Sequence, residues 1–245
     1  MSGRYLIGID NGSQSTKVVI YDADGNPVAE GRQGLRPASR PRPGIVEHPD
    51  DDLWDSIVAA SRQALAAFAG NPADIAAVGL CTIRCCKAFL KASGALAQPV
   101  MSWMDTRAYA PYLPDDPAVA FATTSSGYIT HRLTGEFRDT AANSIDIQWP
   151  IDAGTWQWST DDAVMRRFNL RRDMLFELQM PGAVSGRVTA AAAAATGIPA
   201  GIPVVVTAND KAVEALGSGS LDGRTALVSL GTYIAGMVHG QEHRP

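Results

Sequence analysis

Apolar and polar positions along the chain sort into two periods. Tyr5-Leu6-Ile7-Gly8-Ile9 and Lys17-Val18-Val19-Ile20-Tyr21 are short apolar runs, and a third begins at Pro27-Val28-Ala29-Glu30. Runs of this length, bounded by the turn-rich Asp10-Asn11-Gly12-Ser13 and Asp22-Ala23-Asp24-Gly25-Asn26, predict three strands in an antiparallel meander. Residues 33–49 carry four prolines and predict an irregular crossover. From Asp50 to Phe68 the period changes. Apolar residues recur at Leu53, Trp54, Ile57, Val58, Ala60, Leu65 and Phe68, which predicts a helix. Asp50, Asp51 and Asp52 stand where they can cap its N-terminus and complement its dipole.

After Gly70-Asn71-Pro72, the run Ile75 to Cys81 predicts a buried strand, and Ala88-Phe89-Leu90 before Ser93-Gly94 another with its turn. The middle predicts short helices over 123–133 and 161–168, with a tryptophan-rich loop over 149–158. The alanine run within 189–196 predicts a compact helix stopped by Gly197. Pro203 to Thr207 then reads as a strand, 209–216 as a helix, and Ala226–Leu230 and Ile234–Val238 as two strands. A helix between a meander and further strands points to an α/β fold with a mixed sheet.

Composition narrows the function classes. The chain has 245 residues, 46% hydrophobic and 19% charged, a globular balance with room for a large core. Its 21 basic and 25 acidic residues give a net charge of −4, which argues against nucleic acid as a partner. No apolar run approaches the roughly 20 residues of a membrane span, so no membrane association and a cytoplasmic location are the expectations. The three cysteines, Cys81, Cys85 and Cys86, crowd together with no nearby histidine, which suits reduced thiols and neither a disulfide framework nor a metal site.

Candidate chemistry starts at Gly8-Ile9-Asp10-Asn11-Gly12-Ser13-Gln14-Ser15-Thr16-Lys17. A strand ending in a carboxylate, a glycine turn, hydroxyls and a lysine suits a phosphate chain with Mg²⁺ at Asp10. It equally suits a type I′ hairpin with Asn11-Gly12 at its tip, and Lys17 equally suits a solvated strand position. Ser229-Leu230-Gly231-Thr232 repeats the strand, glycine and hydroxyl arrangement, and two such hairpins can face one polyphosphate. Asp210 follows an apolar strand and opens a helix. There it is either a carboxylate projecting into a cleft or the N-cap of that helix.

Gly8-Ile9-Asp10-x-Gly12-Ser13, Trp103-x-Asp105-x-Arg107, Leu133-Thr134-Gly135-Glu136-Phe137, Asn209-Asp210 and Ser229-Leu230-Gly231-Thr232 together resemble, in order, the FGGY carbohydrate kinases. The resemblance covers nearly the whole chain and corresponds to the family's N-terminal half. It implies a ribonuclease-H-like domain of the actin-like ATPase superfamily, with a mixed five-stranded sheet. On that expectation residues 1–245 form the domain, and the C-terminal adenosine-binding domain is missing. The implied activity is ATP-dependent phosphorylation of a hydroxyl on a small sugar or polyol. Asp210 is then the general base, Asp10 supports Mg²⁺, and Gly12, Ser13, Lys17, Gly231 and Thr232 hold ATP.

Arg84 matches an arginine that the glycerol-kinase branch uses for its polyol, and Trp103 and Asp105 match the sugar-site segment. Read on their own, Trp103 suits the core and Asp105 a helix cap. Departures from the family are concrete. Asn209-Asp210-Lys211 stands for Gly-Asp-Asn, so Lys211 is expected to shift the acidity of Asp210. Cys85 replaces an acidic neighbour, and the Gln-Met-His pattern of xylulose kinases is absent. The acceptor-pocket insertion, about 104–160, is short and irregular. The rival expectation is a sugar- or nucleotide-binding regulatory module, either a homodimer or one paired in trans with a C-terminal domain.

Overall fold

A computed structural model describes residues 4–145, 147–220, 222–230, 234–238 and 240. The meander forms as the pattern predicts, from β1 (Tyr5–Asn11), β2 (Ser15–Asp22) and β3 (Pro27–Gly34), with antiparallel pairing throughout. A short strand β4 (Glu47–His48) closes the proline-rich crossover. Helix α1 (Asp52–Ala67) follows and packs across β2 and β3. The strand β5 (Ile75–Thr82) then lies parallel to β1. A smaller sheet combines β4 with β6 (Lys87–Leu90), β7 (Val100–Met101) and β8 (Phe121–Thr124), in the order β4-β7-β6-β8.

Beyond it come α2 (Ser125–Thr134), β9 (Arg138–Thr140), α3 (Ala141–Ser144), the hairpin β10 (Ile151–Asp152) and β11 (Gln157–Trp158), and α4 (Asp162–Phe168). The chain continues through β12 (Glu177–Gln179), β13 (Val184–Arg187), α5 (Ala190–Thr196), β14 (Pro203–Asn209) and α6 (Asp210–Gly217), followed by the hairpin of β15 (Ala226–Leu230) and β16 (Ile234–Val238).

The central sheet runs β13-β14-β5-β1-β2-β3. It therefore has six strands among the described residues rather than the expected five. The sixth, β13, is a four-residue antiparallel edge containing a glycine and an exposed Val184, too short and polar for its alternation to register. The expected tryptophan loop also contains a two-stranded hairpin.

One face of this sheet makes the core. Ile7, Ile9, Val18, Ile20, Val78, Leu80 and Val204 pack in one cluster with Leu53, Ile57, Ala60 and Ala64 of α1. Each fully buried Leu or Ile contributes about 1.5–3 kcal/mol. Gly31 lets helix and sheet meet: a Cβ there would lie 2.1 Å from the Ala60 carbonyl oxygen. The aspartates before α1 do not cap it. Asp51, its N-cap residue, makes no side-chain cap hydrogen bond, and accepts instead from the Tyr128 hydroxyl and Arg132. Asp52 is held by Arg36, with Nε donating at 2.9 Å. Asp52 and Asp55 still place negative charge in the first turn, where the helix dipole favours it. Gly197 ends α5 at φ 80°.

Candidate active site

The other face of the sheet is concave and open. A cavity of about 910 Å³ lies over it, lined on the sheet by Gly8, Asp10, Lys17, Tyr21, Gly79 and Cys81. Its upper wall is the turn after β1, the segment around Arg84, and the start of α6. Since β1 and β14 both run parallel to β5, their carboxyl ends share one edge, where open α/β sheets bind ligands. Asp10 is the last but one residue of its strand on that edge, and Asp210 begins the helix that leaves it.

The turn after β1 is not a type I′ hairpin. Asn11 is a fully buried strand residue whose Nδ2 donates to Thr16 Oγ1 at 2.6 Å. Neither Asn11 nor Gly12 has a positive φ, which that turn type requires at both positions. The Gly12 N–H instead donates to the Ser15 carbonyl at 3.1 Å. Gly12, Ser13, Gln14 and Ser15 all line the cavity.

At α6 the capping position falls one residue earlier than expected. Asn209 is the N-cap, its side chain accepting from the Ala212 N–H at 3.1 Å. That leaves Asp210 as the first helical residue, with its carboxylate on the cavity wall. Its only hydrogen bond among the described residues is from the Lys211 N–H, at 2.9 Å.

The electrostatics follow from burial and neighbours. Asp210 lies above the ordinary carboxylate pKa because burial disfavours its charge, while Lys211 pulls the other way. Asp10 opens to water through the cavity, yet the concave wall around it still disfavours its charge. Its pKa is raised first by that desolvation and then by the negative charge of Asp210, against the opposing pull of Lys211 and Lys17. Cys81, opposite Asp10 in the sheet register, is pushed far up by burial and by both carboxylates. It is a neutral thiol and no nucleophile. Lys211 Nζ donates to Glu214 and Ser229 at 2.8 and 2.9 Å, which ties α6 to β15.

Of the residues expected from sequence, Asp10, Gly12, Ser13, Lys17, Arg84, Trp103 and Asp210 line this one cavity. Asp105 does not. It is fully buried, caps the short helix Thr106–Tyr109, and accepts from the Val46 N–H at 2.8 Å and from Arg107 Nη2 at 2.7 Å. Burial opposes its charge, but these donors more than offset that and hold its carboxyl below the usual range. The aspartate of the Trp103-x-Asp105 pair thus braces the segment from behind, and Trp103 reaches the cavity. Gly231 and Thr232 lie outside the described residues. Sequence reasoning missed Ser15, Arg32 and Tyr109, all of which line the cavity.

Asp10 fits a hard cation. It accepts no hydrogen bond among the described residues, and it shares its cavity with a second carboxylate. Those residues contain no group of three or more His, Cys, Asp or Glu side chains that could hold an ion. A cavity with two carboxylates suits Mg²⁺, which keeps several waters and takes one or two carboxylates together with substrate phosphates. No helix among them is long and apolar enough to cross a membrane.

An α/β domain with a mixed sheet, a glycine-hydroxyl turn and two carboxylates on one cavity is the arrangement that the resemblance in sequence implies. Comparison with known proteins gives the family. The profile of the FGGY family of carbohydrate kinases, N-terminal domain, matches residues 5–112 and 117–217. The chain is 56% identical over 241 residues to a protein described as an uncharacterized sugar kinase, YgcE, of Escherichia coli (strain K12), covering 98% of this chain and 49% of that protein. Among solved structures, gluconate kinase from Lactobacillus acidophilus superposes with a TM-score of 0.82 at 19% identity, over 96% of this chain and 54% of that one. Xylulose kinase from Rhodospirillum rubrum gives 0.80 at 22% identity, over 92% and 53%. The chain belongs to the FGGY family of carbohydrate kinases, and it spans about half the length of these relatives.

Proposed function

We propose that residues 1–245 are the phosphate- and acceptor-binding half of a kinase that moves the γ-phosphoryl group of ATP to a hydroxyl of a small sugar or polyol. The observation that carries this reading is the convergence of Asp10 and Asp210 on one cavity. The Gly12-Ser13 turn, Lys17, Arg84 and Trp103 line the same cavity.

Asp210 is the general base. Its carboxylate takes the acceptor's proton as the acceptor oxygen bonds to the γ-phosphorus. The bond from that phosphorus to the β–γ bridging oxygen breaks, and ADP leaves with the electron pair. A carboxylate raised above its ordinary pKa is a stronger base, nearer to working pH. Ser13, Ser15 and Lys17 face the phosphate chain, so that charge is met by donors already in place. Asp10 would hold Mg²⁺, which would supply further neutralisation of the phosphate oxygens. Trp103 offers a ring face to the sugar carbons, and Arg84 donates to its oxygens.

The pull of Lys211, which works against the raised pKa of Asp210, favours a second reading, a sugar- or nucleotide-binding regulatory module. Transfer of labelled γ-phosphate from MgATP to a panel of polyols, ketoses and aldonates separates the two. The kinase reading expects transfer to at least one acceptor, cut at least a hundredfold in Asp10→Asn. Acceptor binding without any transfer favours the module.

A further inference from the structure

The meander strands build a row of side chains across the cavity floor. Pairing places Asp10 opposite Cys81 on one side and opposite Lys17 on the other, and Lys17 opposite Arg32. Directly paired residues share a sheet face, and all four line the cavity. A thiol, a carboxylate, an ammonium and a guanidinium therefore follow one another over four strands. From Asp10 to Arg32 is two strand spacings, about 9.5 Å.

Two cations directly opposite each other on antiparallel strands repel, and such pairs destabilise a sheet. Here the acidic compensation is partial. Glu30 lies 3.4 Å from Lys17 Nζ, and Arg32 has no carboxylate partner among the described residues. Its Nε donates to Ser15 Oγ at 3.2 Å. That bond ties the guanidinium to the turn, and neither Nη group has a hydrogen bond among the described residues. By contrast, Arg36, Arg107 and Arg132 are each bound to carboxylates. An arginine fixed by a neutral hydroxyl, beside a second cation, above an open cavity, is arranged for an anion with several oxygens.

We infer that Arg32 is a phosphate ligand, and that with Lys17 it seats the part of the nucleoside triphosphate chain lying away from Asp10. The inference rests on the phosphoryl-transfer reading and adds to it a binding residue on β3. A phosphate chain with its terminal group at Asp10 runs over Lys17 toward Arg32, and its charge relieves the repulsion between the two cations.

Calorimetric titration of the chain with MgATP and with magnesium tripolyphosphate, at two salt concentrations, tests it. Arg32→Gln is expected to weaken both ligands about tenfold, the loss of one charge-assisted contact, and to flatten the salt dependence of binding. Arg32→Lys, which keeps the charge without the planar fork, should fall between. Lys91→Gln, an exposed cation that does not line the cavity, should bind as wild type. Affinity of Arg32→Gln within twofold of wild type overturns the inference while leaving the kinase reading intact, as does an equal loss in Lys91→Gln. Failure of the wild type to bind either ligand overturns the phosphoryl-transfer reading, and this inference with it.

Discussion

Asp210 owes its availability to the residue before it. Had Asp210 been the N-cap, its carboxylate would be spent on the N–H groups of its own helix; Asn209 takes that task, and Asp210 faces the cavity. Sequence alone holds both arrangements, because Asn and Asp cap almost equally well and a shift of one position decides between them. Asp105 shows the converse. Its place beside Trp103 suggests a ligand contact, but the helix-cap reading is the one that holds: its oxygens are taken up by Arg107, two residues on, and by the Val46 amide, 59 residues away, which no local pattern reveals. The environment of Asp210 makes a prediction at this scale. In a ¹³C-detected titration, its carboxyl should protonate above the ordinary aspartate value, since burial raises it. Removing the opposing cation with Lys211→Gln should move the midpoint to still higher pH. A midpoint at or below the ordinary value, or a downward move in the variant, contradicts these electrostatics.

Elements whose burial alternates or repeats strongly are legible in the chain's own pattern. The meander, α1, β5, β14 and the hairpin of β15 and β16 all stand within a few residues of where that pattern puts them. What stays hidden is short or depends on register. The strand β13 has four residues, and β10 and β11 two each, lengths at which a period of two cannot be read. Arg32 is hidden for a subtler reason. Counting outward from the Asp22–Asn26 turn, the pairing shifts by one residue between Ile20 and Tyr21. An unshifted count would put Gly31 opposite Lys17 and turn Arg32 to the helix side. The true register gives Gly31 to the α1 interface, where it is indispensable. Gly31→Ala should lower stability by more than about 2 kcal/mol, because backbone rather than a flexible side chain stands 2.1 Å from the new Cβ. Gly34→Ala, on the same strand with nothing within 4 Å of its Cβ, should change it by less than about 0.5 kcal/mol. Chemical denaturation of the two variants checks both; equal effects would mean that α1 does not press on β3 at this point.

Over the whole chain, one sheet serves two purposes. Its α1 face is closed and apolar and supplies stability, while its open face carries Asp10, Lys17 and Arg32 above small residues at Gly8 and Gly79 that keep the floor low. Parallel strands β1, β5 and β14 bring Asp10, Arg84 and Asp210 to one edge from positions 74 and 126 residues apart in sequence, which is how distant motifs become one site. The ordered motifs make the family legible from sequence; the cavity that joins Asp10, Arg84, Trp103 and Asp210 needs the topology. The kinase reading stands most directly on Asp210 as the base. Labelled phosphoryl transfer from MgATP to the acceptor panel, measured for wild type and Asp210→Asn alongside calorimetric MgATP affinity, is the decisive measurement. A base at Asp210 predicts that the variant binds MgATP within about threefold of wild type but loses at least roughly a thousandfold in transfer. Transfer by Asp210→Asn at the wild-type rate would contradict it.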